Sequence, residues 1–494
     1  MSRKSDVCLI LEGTYPYIHG GVSSWVHQLI TALKDIHFSL MIILPNREYI
    51  KEMKYKIPEN VVDIRQVFIH DQDIEIKKIK ISNKNVAYSQ LETFVIQASQ
   101  GDISKFDDIY QYFLPDNNTI NLYDLLFSKH GWDLITNIYK FFKLNISFID
   151  YFWTYRFTIL PVIQVMRADL PDAAIYHCIS TGYAGLLGSI AKLKNNSALL
   201  LTEHGIYTKE RKIEIAQASW IYDEKTKEAR PQKTMSFFKQ WWISTFSLMS
   251  KICYHQCSEI VTLFEENQKL QLQCGAQQSK LSIIPNGIDL KGFSPTERKI
   301  NHGQKKFTIG FVGRVVPIKD VKTFIKACKI VAQYLPEIEI LVMGPTDEDE
   351  IYYHECALLR DMLELKNNMT FTGPVNVKEY YKKIDLIVLT SESEAQPLVI
   401  LEANAMGVPV VSSDVGACRE LLEGRLPQDK IIGSSGLITG VGSPDETAKA
   451  ILDLLSSPDK YSSMSKAGIK RVTEFYNQDD LFARYLNLYE KYLY

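Results

Sequence analysis

Two glutamates, Glu394 and Glu402 in the stretch SESEAQPLVILEANAMGVPVV, are the strongest local sign of chemistry in the chain. Glu394 falls in a loop after the apolar run 386–389, and Pro397 suits the first turn of a helix, where a missing N–H costs little. The free N–H groups of that helix start would face an anion or a sugar hydroxyl. Glu402, about 1.5 turns further in, would reach toward vicinal hydroxyls, which a carboxylate accepts in pairs. A capping carboxylate followed by a solvated helix carboxylate is the plainer alternative. The stretch GFVGRVVPIKD adds cations: Arg314 and Lys319 sit between a strand end and a helix start, a position that suits a diphosphate leaving group.

Three further positions carry weaker signals. Gly20 and Gly21 precede a helical stretch and would let backbone N–H groups approach an anion. They form neither G-x-G-x-x-G nor a Walker loop, which counts against dehydrogenase and ATPase readings. Thr202-Glu203-His204-Gly205 directly follows a strand, so His204 would face an interdomain cleft and could hydrogen-bond a sugar or move a proton. His177 ends the neighbouring strand, and for both histidines a structural part is the plainer alternative. Asp347-x-Asp349 looks like a metal-holding D-x-D, but it directly precedes a helix, where acids favour the macrodipole, so no required metal is expected.

These residues need a frame that brings loops together. Apolar strand runs at 6–11 and 38–44 flank a helical stretch at 22–33, a βαβ opening. From about 46 to 149 the pattern loosens into a segment rich in Lys, Asp, Asn and Tyr, which reads as an insertion with helices at 118–127 and 132–142. The rhythm resumes with strands at 174–178, 198–202 and 259–263, a small-residue helix at 184–193 and a long aromatic helix at 237–257. Residues 296–306 are polar and read as a linker. Strands then recur at 308–312, 339–343, 370–372, 386–389 and 408–412, with amphipathic stretches between them. The alternation predicts two α/β Rossmann-like halves with doubly wound parallel sheets, ligands lying beyond the carboxyl ends of the strands. The residues 478–494 read as a terminal helix.

Composition narrows the function classes. The 494 residues hold 56 Lys and Arg against 58 Asp and Glu, a net charge of -2 that argues against a nucleic-acid partner. The eight cysteines form no C-x-x-C and fit a reducing cytoplasm. The opening MSRKSDVCLILEG is too short in apolar residues for a signal peptide, and the most apolar stretch, 151–166, is broken by Arg156, so no membrane insertion is expected.

Taken in order along the chain, the Gly-Gly loop, TEHG, PNGID, Gly-Arg-x4-Lys and Glu-x7-Glu resemble the family 4 retaining glycosyltransferases of the GT-B fold. The opening DVCLILEGTYPYIHGGVSSWVHQLI and the stretch TEHGIYTKERKIEI look like the cytoplasmic members of that family that serve Pel exopolysaccharide synthesis. The resemblance implies a UDP-sugar donor, no cofactor or essential metal, a polysaccharide acceptor, and membrane-bound Pel synthase partners that recruit the protein to the inner face of the membrane. It implies an acceptor-side domain over 1–296 with the insertion around 46–150, a nucleotide-sugar domain over 297–477, and a helix 478–494 crossing back to pack on the first domain. Arg314 and Lys319 would then hold the diphosphate, Glu402 the ribose, and Glu394 the donor sugar. His204 would line the sugar pocket, so the catalytic set is His204, Arg314, Lys319 and Glu394. Gly20 and Gly21 would close over the phosphates, and Pro374 and Val375 would lie near the uracil. Gln396, Pro397 and Leu398 complete the donor site. Ala395-Gln396-Pro397 departs from the aromatic and glycine that many relatives carry there. Two other readings share this pocket: a sugar-nucleotide epimerase or hydrolase, and a nucleotide-binding scaffold for a membrane synthase.

Overall fold

The computed structural model describes residues 5–493 apart from 14, 51, 72–83, 115–118, 144–145, 219–235, 294–298, 302, 304 and 305. The expected start of a helix at Asn118 and much of the expected linker 296–306 lie outside the described residues. Two compact units emerge. The first comprises Met1–Thr262, Asn267–Ile283 and Tyr485–Tyr494, the second Leu263–Glu266 and Ile284–Arg484.

The first unit is built on seven strands: β1 (Ser5–Glu12), β2 (Phe38–Leu44), β3 (Val61–Phe68), β4 (Ala173–Cys178), β5 (Ala198–Glu203), β6 (Glu259–Thr262) and β7 (Leu281–Ile283). They pair in parallel in the order β3-β2-β1-β4-β5-β6-β7. The residues of β2 are all buried, as expected where helices cover both faces of a parallel sheet. Strand β3 lies within the stretch whose pattern loosens from residue 46. It was hidden because an edge strand has water along one side and carries charge: Asp63 and Arg65 pair at 2.9 Å, and Arg65 reaches Asp169 at 2.7 Å. Strand β5 runs one residue further than expected, so Thr202 and Glu203 belong to the strand and His204 is the first residue beyond it.

The second unit has six strands: β8 (Thr308–Val312), β9 (Glu339–Met343), β10 (Met369–Gly373), β11 (Leu386–Leu389), β12 (Val410–Ser413) and β13 (Gly436–Thr439). Their order is β10-β9-β8-β11-β12-β13, again parallel throughout. In each sheet the order reverses once, between β1 and β4 and between β8 and β11. Loops leaving the carboxyl ends of such a strand pair diverge to opposite faces and leave a crevice between them. Behind the second sheet, Arg471 is fully buried and pairs with Asp429 at 2.7 Å while donating to the carbonyls of Leu422 and Gly433. Those extra hydrogen bonds offset part of the cost of removing both charges from water.

Candidate functional site

The reversal point of the second sheet gathers most of the residues singled out by sequence. Beyond β8 the chain makes a short 3-10 turn, Pro317–Lys319, and Asp320 adopts a left-handed conformation while its side chain caps the helix Val321–Tyr334 by accepting from the Thr323 N–H at 3.2 Å. Asx residues tolerate that conformation and suit that cap. The neighbouring loop beyond β11 is tied to this turn. The Glu392 N–H donates to the Ile318 carbonyl at 2.9 Å, and the Thr390 hydroxyl donates to the Asp320 carbonyl at 2.9 Å. With both backbones fixed, Lys319 Nζ meets Glu394 Oε1 at 2.5 Å, and the Ser391 hydroxyl donates to the same oxygen at 2.7 Å. The side chains of Lys319 and Glu394 are only 19% and 11% exposed, so their pairing is screened far less than a surface pair.

A third loop supports the second. Ser413, ending β12, donates its hydroxyl to the Ser391 carbonyl at 2.7 Å, and the Ala417 N–H donates to the Ala395 carbonyl at 2.8 Å. Gly416 permits this approach. It has φ of +52°, and a Cβ there would stand 2.2 Å from the Glu394 carbonyl oxygen. Any other residue would push the Glu394 loop away from Lys319.

The remaining expected residues are placed as follows. Arg314 pairs with Glu348, and both side chains are about half exposed. Glu402 lies on the helix Leu398–Ala405 and accepts a hydrogen bond from the buried Tyr381 hydroxyl at 3.0 Å. Burial raises the Glu402 carboxyl above its ordinary pKa, with the Tyr381 hydrogen bond acting in the opposite direction. Pro397 stands one position earlier than expected: it is the N-cap of that helix rather than its first residue, and the helix has no side-chain cap and no acid in its first turn. The Ile400 N–H donates to the Pro397 carbonyl at 3.2 Å, and no side chain caps the first N–H groups of the helix. Leu398 is partly exposed at the same end. Pro374 is exposed and Val375 half-buried in the loop beyond β10. Gln396 departs from a donor-contacting part. Its side-chain oxygen accepts from the Asn286 N–H at 2.7 Å and its amide donates to the Asn286 carbonyl at 3.2 Å, so its polar atoms fix the PNGID loop instead. Asp349 accepts from the Tyr352 N–H at 2.9 Å as the N-cap of the helix Glu350–Met362, the helix-start part expected of it. Among the described residues, no group of three or more His, Cys, Asp and Glu side chains is placed to hold a metal.

The first unit places Gly20, Gly21 and His204. Gly20 is the N-cap of the helix Gly21–Ala32, with no side-chain cap and no acid in the first turn. A Cβ on either glycine would meet nothing within 4 Å, so open space lies above this helix start. His204 packs edge-on against Trp25, ring centroids 4.7 Å apart, and its buried Nε2 has no hydrogen-bond partner among the described residues. Burial lowers its pKa to about 4, so it is neutral near pH 7. His177 is structural: it bonds the Tyr489 hydroxyl at 2.7 Å and that of Thr202 at 2.9 Å, with its pKa lowered to about 3 by burial.

Sequence reasoning missed two carboxylates in this unit. Glu12, the last residue of β1, accepts from the Ser180 hydroxyl at 2.9 Å, the Ala184 N–H at 2.8 Å and the Tyr207 hydroxyl at 3.1 Å. Buried Glu203 accepts from the Tyr254 hydroxyl at 2.7 Å and the Gln271 amide at 2.9 Å, and burial raises its pKa. An acid closing an apolar strand run is a signal that could have found both.

Residues 5–279 match the family model described as a domain of unknown function (DUF3492), and residues 293–471 match the model described as glycosyl transferases group 1. A D-inositol 3-phosphate glycosyltransferase of Segniliparus rotundus is 26% identical over 208 residues, 40% of this chain and 44% of that protein. The chain spans about half the length of the curated relatives it matches. Among solved structures, sucrose-phosphate synthase from Thermosynechococcus elongatus aligns with a TM-score of 0.57 at 16% identity, covering 98% of each chain. Anabaena HepE in complex with UDP aligns with a TM-score of 0.58 at 13% identity, covering 98% of this chain and 100% of that one. At such identities the likeness shows the fold: two Rossmann-like parallel-sheet domains of the GT-B kind.

Proposed function

We propose that this chain, which belongs to the DUF3492 family and carries a region matching glycosyl transferases group 1, is a retaining glycosyltransferase that moves a sugar from a UDP-sugar onto a growing polysaccharide. The observation that carries the reading is the enclosed Lys319–Glu394 pair at the reversal point of the second sheet, with Arg314 on the same loop as Lys319 and Glu402 on the helix that follows the Glu394 loop. The choice of UDP draws on HepE, whose structures hold UDP, UDP and glucose, or UDP-glucose.

Departure of the diphosphate is the hard part of glycosyl transfer, and negative charge develops on it as the glycosidic bond breaks. Lys319 and Arg314 supply preorganised positive charge where that happens. Glu394 holds Lys319 in place and accepts from donor-sugar hydroxyls. Glu402 takes the ribose diol, held at the right depth by Tyr381. Pro374 and Val375 flank the base, while the uncapped helix start at Pro397 and Leu398 faces the sugar or phosphate. In the first unit, Gly20 and Gly21 offer backbone N–H groups, and neutral His204 offers Nε2 to a sugar hydroxyl. In this reading the donor is held without a required metal, and the helix-capping part of Asp349 supports it. The finer reading is that the protein acts as PelF does, in Pel exopolysaccharide synthesis for the biofilm matrix, beside membrane-bound synthase partners. The matching opening and TEHG stretches support it.

Calorimetric titration with UDP, GDP, ADP and their sugars, with and without EDTA, tests the reading. Stabilisation by a ligand grows as RT ln(1 + [L]/Kd), so UDP should stand clear of the other nucleotides and EDTA should change nothing. A stronger response to GDP or ADP, or loss of UDP binding in EDTA, overturns the donor assignment.

A further inference from the structure

The helix Phe148–Met166 carries large apolar side chains on its outer as well as its inner face. Its inner face buries Tyr151, Tyr155, Ile163 and Val165. Its outer face carries Ile149, Trp153 and Phe157, one turn apart from each other, which are 67%, 53% and 62% exposed. An apolar helix face is normally covered. The exposed rings do not stand alone. Trp132, 51% exposed on the helix Lys129–Phe141, packs against Phe148 and Phe152 at 5.6 and 6.3 Å. Phe127, 56% exposed, joins them through Arg156. Arg156 lies at the centre, its guanidinium over the rings of Phe127, Phe152 and Trp153 at 5.5, 5.8 and 5.7 Å. At ~200 Å² per large side chain, the five exposed side chains present on the order of 500 Å² of continuous apolar surface, at the upper end for a monomer.

The charge around the patch says what covers it. Residues 127–157 hold Lys129, Lys140, Lys143 and Arg156 against Asp133 and Asp150, an excess of two positive charges in a chain whose net charge is -2. Glu92 stands at the flank, hydrogen-bonded to Asn137. Large aromatic rings at a water boundary, with Arg156 lying over three of them and exposed lysines on the same segment, match the layer where lipid headgroups meet acyl chains. No described helix is long and apolar enough to cross a membrane. We propose that this face docks the protein on the surface of a bilayer containing anionic phospholipid. The rings enter the headgroup layer and Arg156 with the lysines meets phosphate. Contact of this kind lies on the membrane without spanning it, and it needs no partner protein.

Sedimentation of the full chain with vesicles tests this. Phosphatidylcholine vesicles containing phosphatidylglycerol should carry the protein down at least about tenfold more than phosphatidylcholine alone, and added salt should reverse it. The variants Trp153→Glu and Arg156→Glu should each cut binding by roughly tenfold while melting temperature and UDP affinity stay unchanged. If Trp153→Glu lowers the melting temperature, Trp153→Ala with Phe157→Ala takes its place with the same expected loss. Absence of binding to either vesicle, equal binding to both, or full binding by these variants overturns the proposal. So does a self-association in sedimentation velocity that the same variants abolish, which would assign the face to a second copy of the chain.

Discussion

The two sheets reverse their strand order in the same way but furnish the reversal points differently. Both have a helix whose N-terminus lacks a side-chain cap and an acid in its first turn, Gly21–Ala32 in the first unit and Leu398–Ala405 in the second. In the second unit, Glu394 is matched by a cation, Lys319, and Arg314 stands on the same loop. In the first, Glu12 and Glu203 receive hydrogen bonds from Ser180, Tyr207, Tyr254 and Gln271, all neutral donors. A lysine ammonium carries a full positive charge that can answer negative charge developing nearby, whereas neutral hydroxyl and amide donors carry none. Under the proposed function, this positive charge at the second reversal point would follow a departing anion. The carboxylates of the first unit, with Glu203 on β5 buried among its partners, are held in shape by neutral groups that supply no countercharge.

The largest effect that could break this contrast is on the transfer step. Lys319→Ala should reduce turnover by about 10²–10³-fold, or ~2.7–4 kcal/mol, the range seen when one preorganised transition-state contact is removed. The loss should fall on kcat, because the charge it meets is greatest as the diphosphate leaves. Steady-state kinetics showing a raised KM and an unchanged kcat would place Lys319 on ground-state binding and remove the distinction between the units. Glu12→Gln serves as the comparison from the first unit and should leave UDP affinity unchanged.

A second effect belongs to the first unit and is of comparable size. His177, lowered to about 3 by burial, is held neutral between Thr202 and Tyr489. The unfolded chain protonates this histidine below about pH 6.5 and the folded chain does not, so stability falls as pH drops from 6.5 toward 3. Urea unfolding of wild type and His177→Gln should show wild type losing about 2–3 kcal/mol relative to the variant between pH 7 and pH 4.5. Carboxylate contributions common to both cancel in that difference. A constant gap across this range would mean that His177 is solvated enough to protonate in place.

What sequence could show about each unit follows from burial. Strands β2, β8 and β11 are wholly buried and read as predominantly apolar runs, broken only by Ser39 in β2 and by Thr308 and Gly310 in β8. Edge strand β3 alternates with Asp63, Arg65 and Gln66, and β7 has only three residues, so neither stands out from a loop. Lys319 and Glu394 were legible together because each follows a strand, and β8 and β11 are neighbours in a doubly wound order. The part played by Gln396 was not legible, since its partner Asn286 lies 110 residues away and only tertiary packing joins them. His177 and His204 both stand at strand ends, and no local pattern separates them. The difference comes from Tyr489, near the end of the chain, which closes over one and not the other.

Within the second unit the two glutamates can be separated by affinity. Glu402→Gln should weaken UDP and UDP-sugar alike by roughly 1.5–3 kcal/mol, the range for a hydrogen bond to a charged group. Glu394→Gln should leave UDP affinity nearly intact and reduce donor-sugar binding or transfer. Equal losses of UDP affinity in both would put both carboxylates on the nucleotide. No loss in either would detach the Glu-x7-Glu spacing from the nucleotide altogether.

The smallest effect sharpens what the cations of the second unit are matched against. Arg314 is paired with Glu348, a residue of the TDEDE loop with no assigned contact to the donor. A diphosphate arriving at Arg314 must displace or share this carboxylate. Both side chains are about half exposed, so the pair is worth at most about 1 kcal/mol. Glu348→Gln should therefore tighten UDP binding by no more than about fivefold, with the gain shrinking as salt screens the competing charge. Arg314→Ala should weaken UDP by more than that and abolish any response to changes at Glu348. A double-mutant cycle between the two positions, read by UDP titration at low and high salt, measures the coupling directly. Zero coupling would mean that Arg314 turns away from Glu348 at no cost when the donor binds. The countercharge would then rest on Lys319, held by Glu394 in an enclosed ion pair at the reversal point.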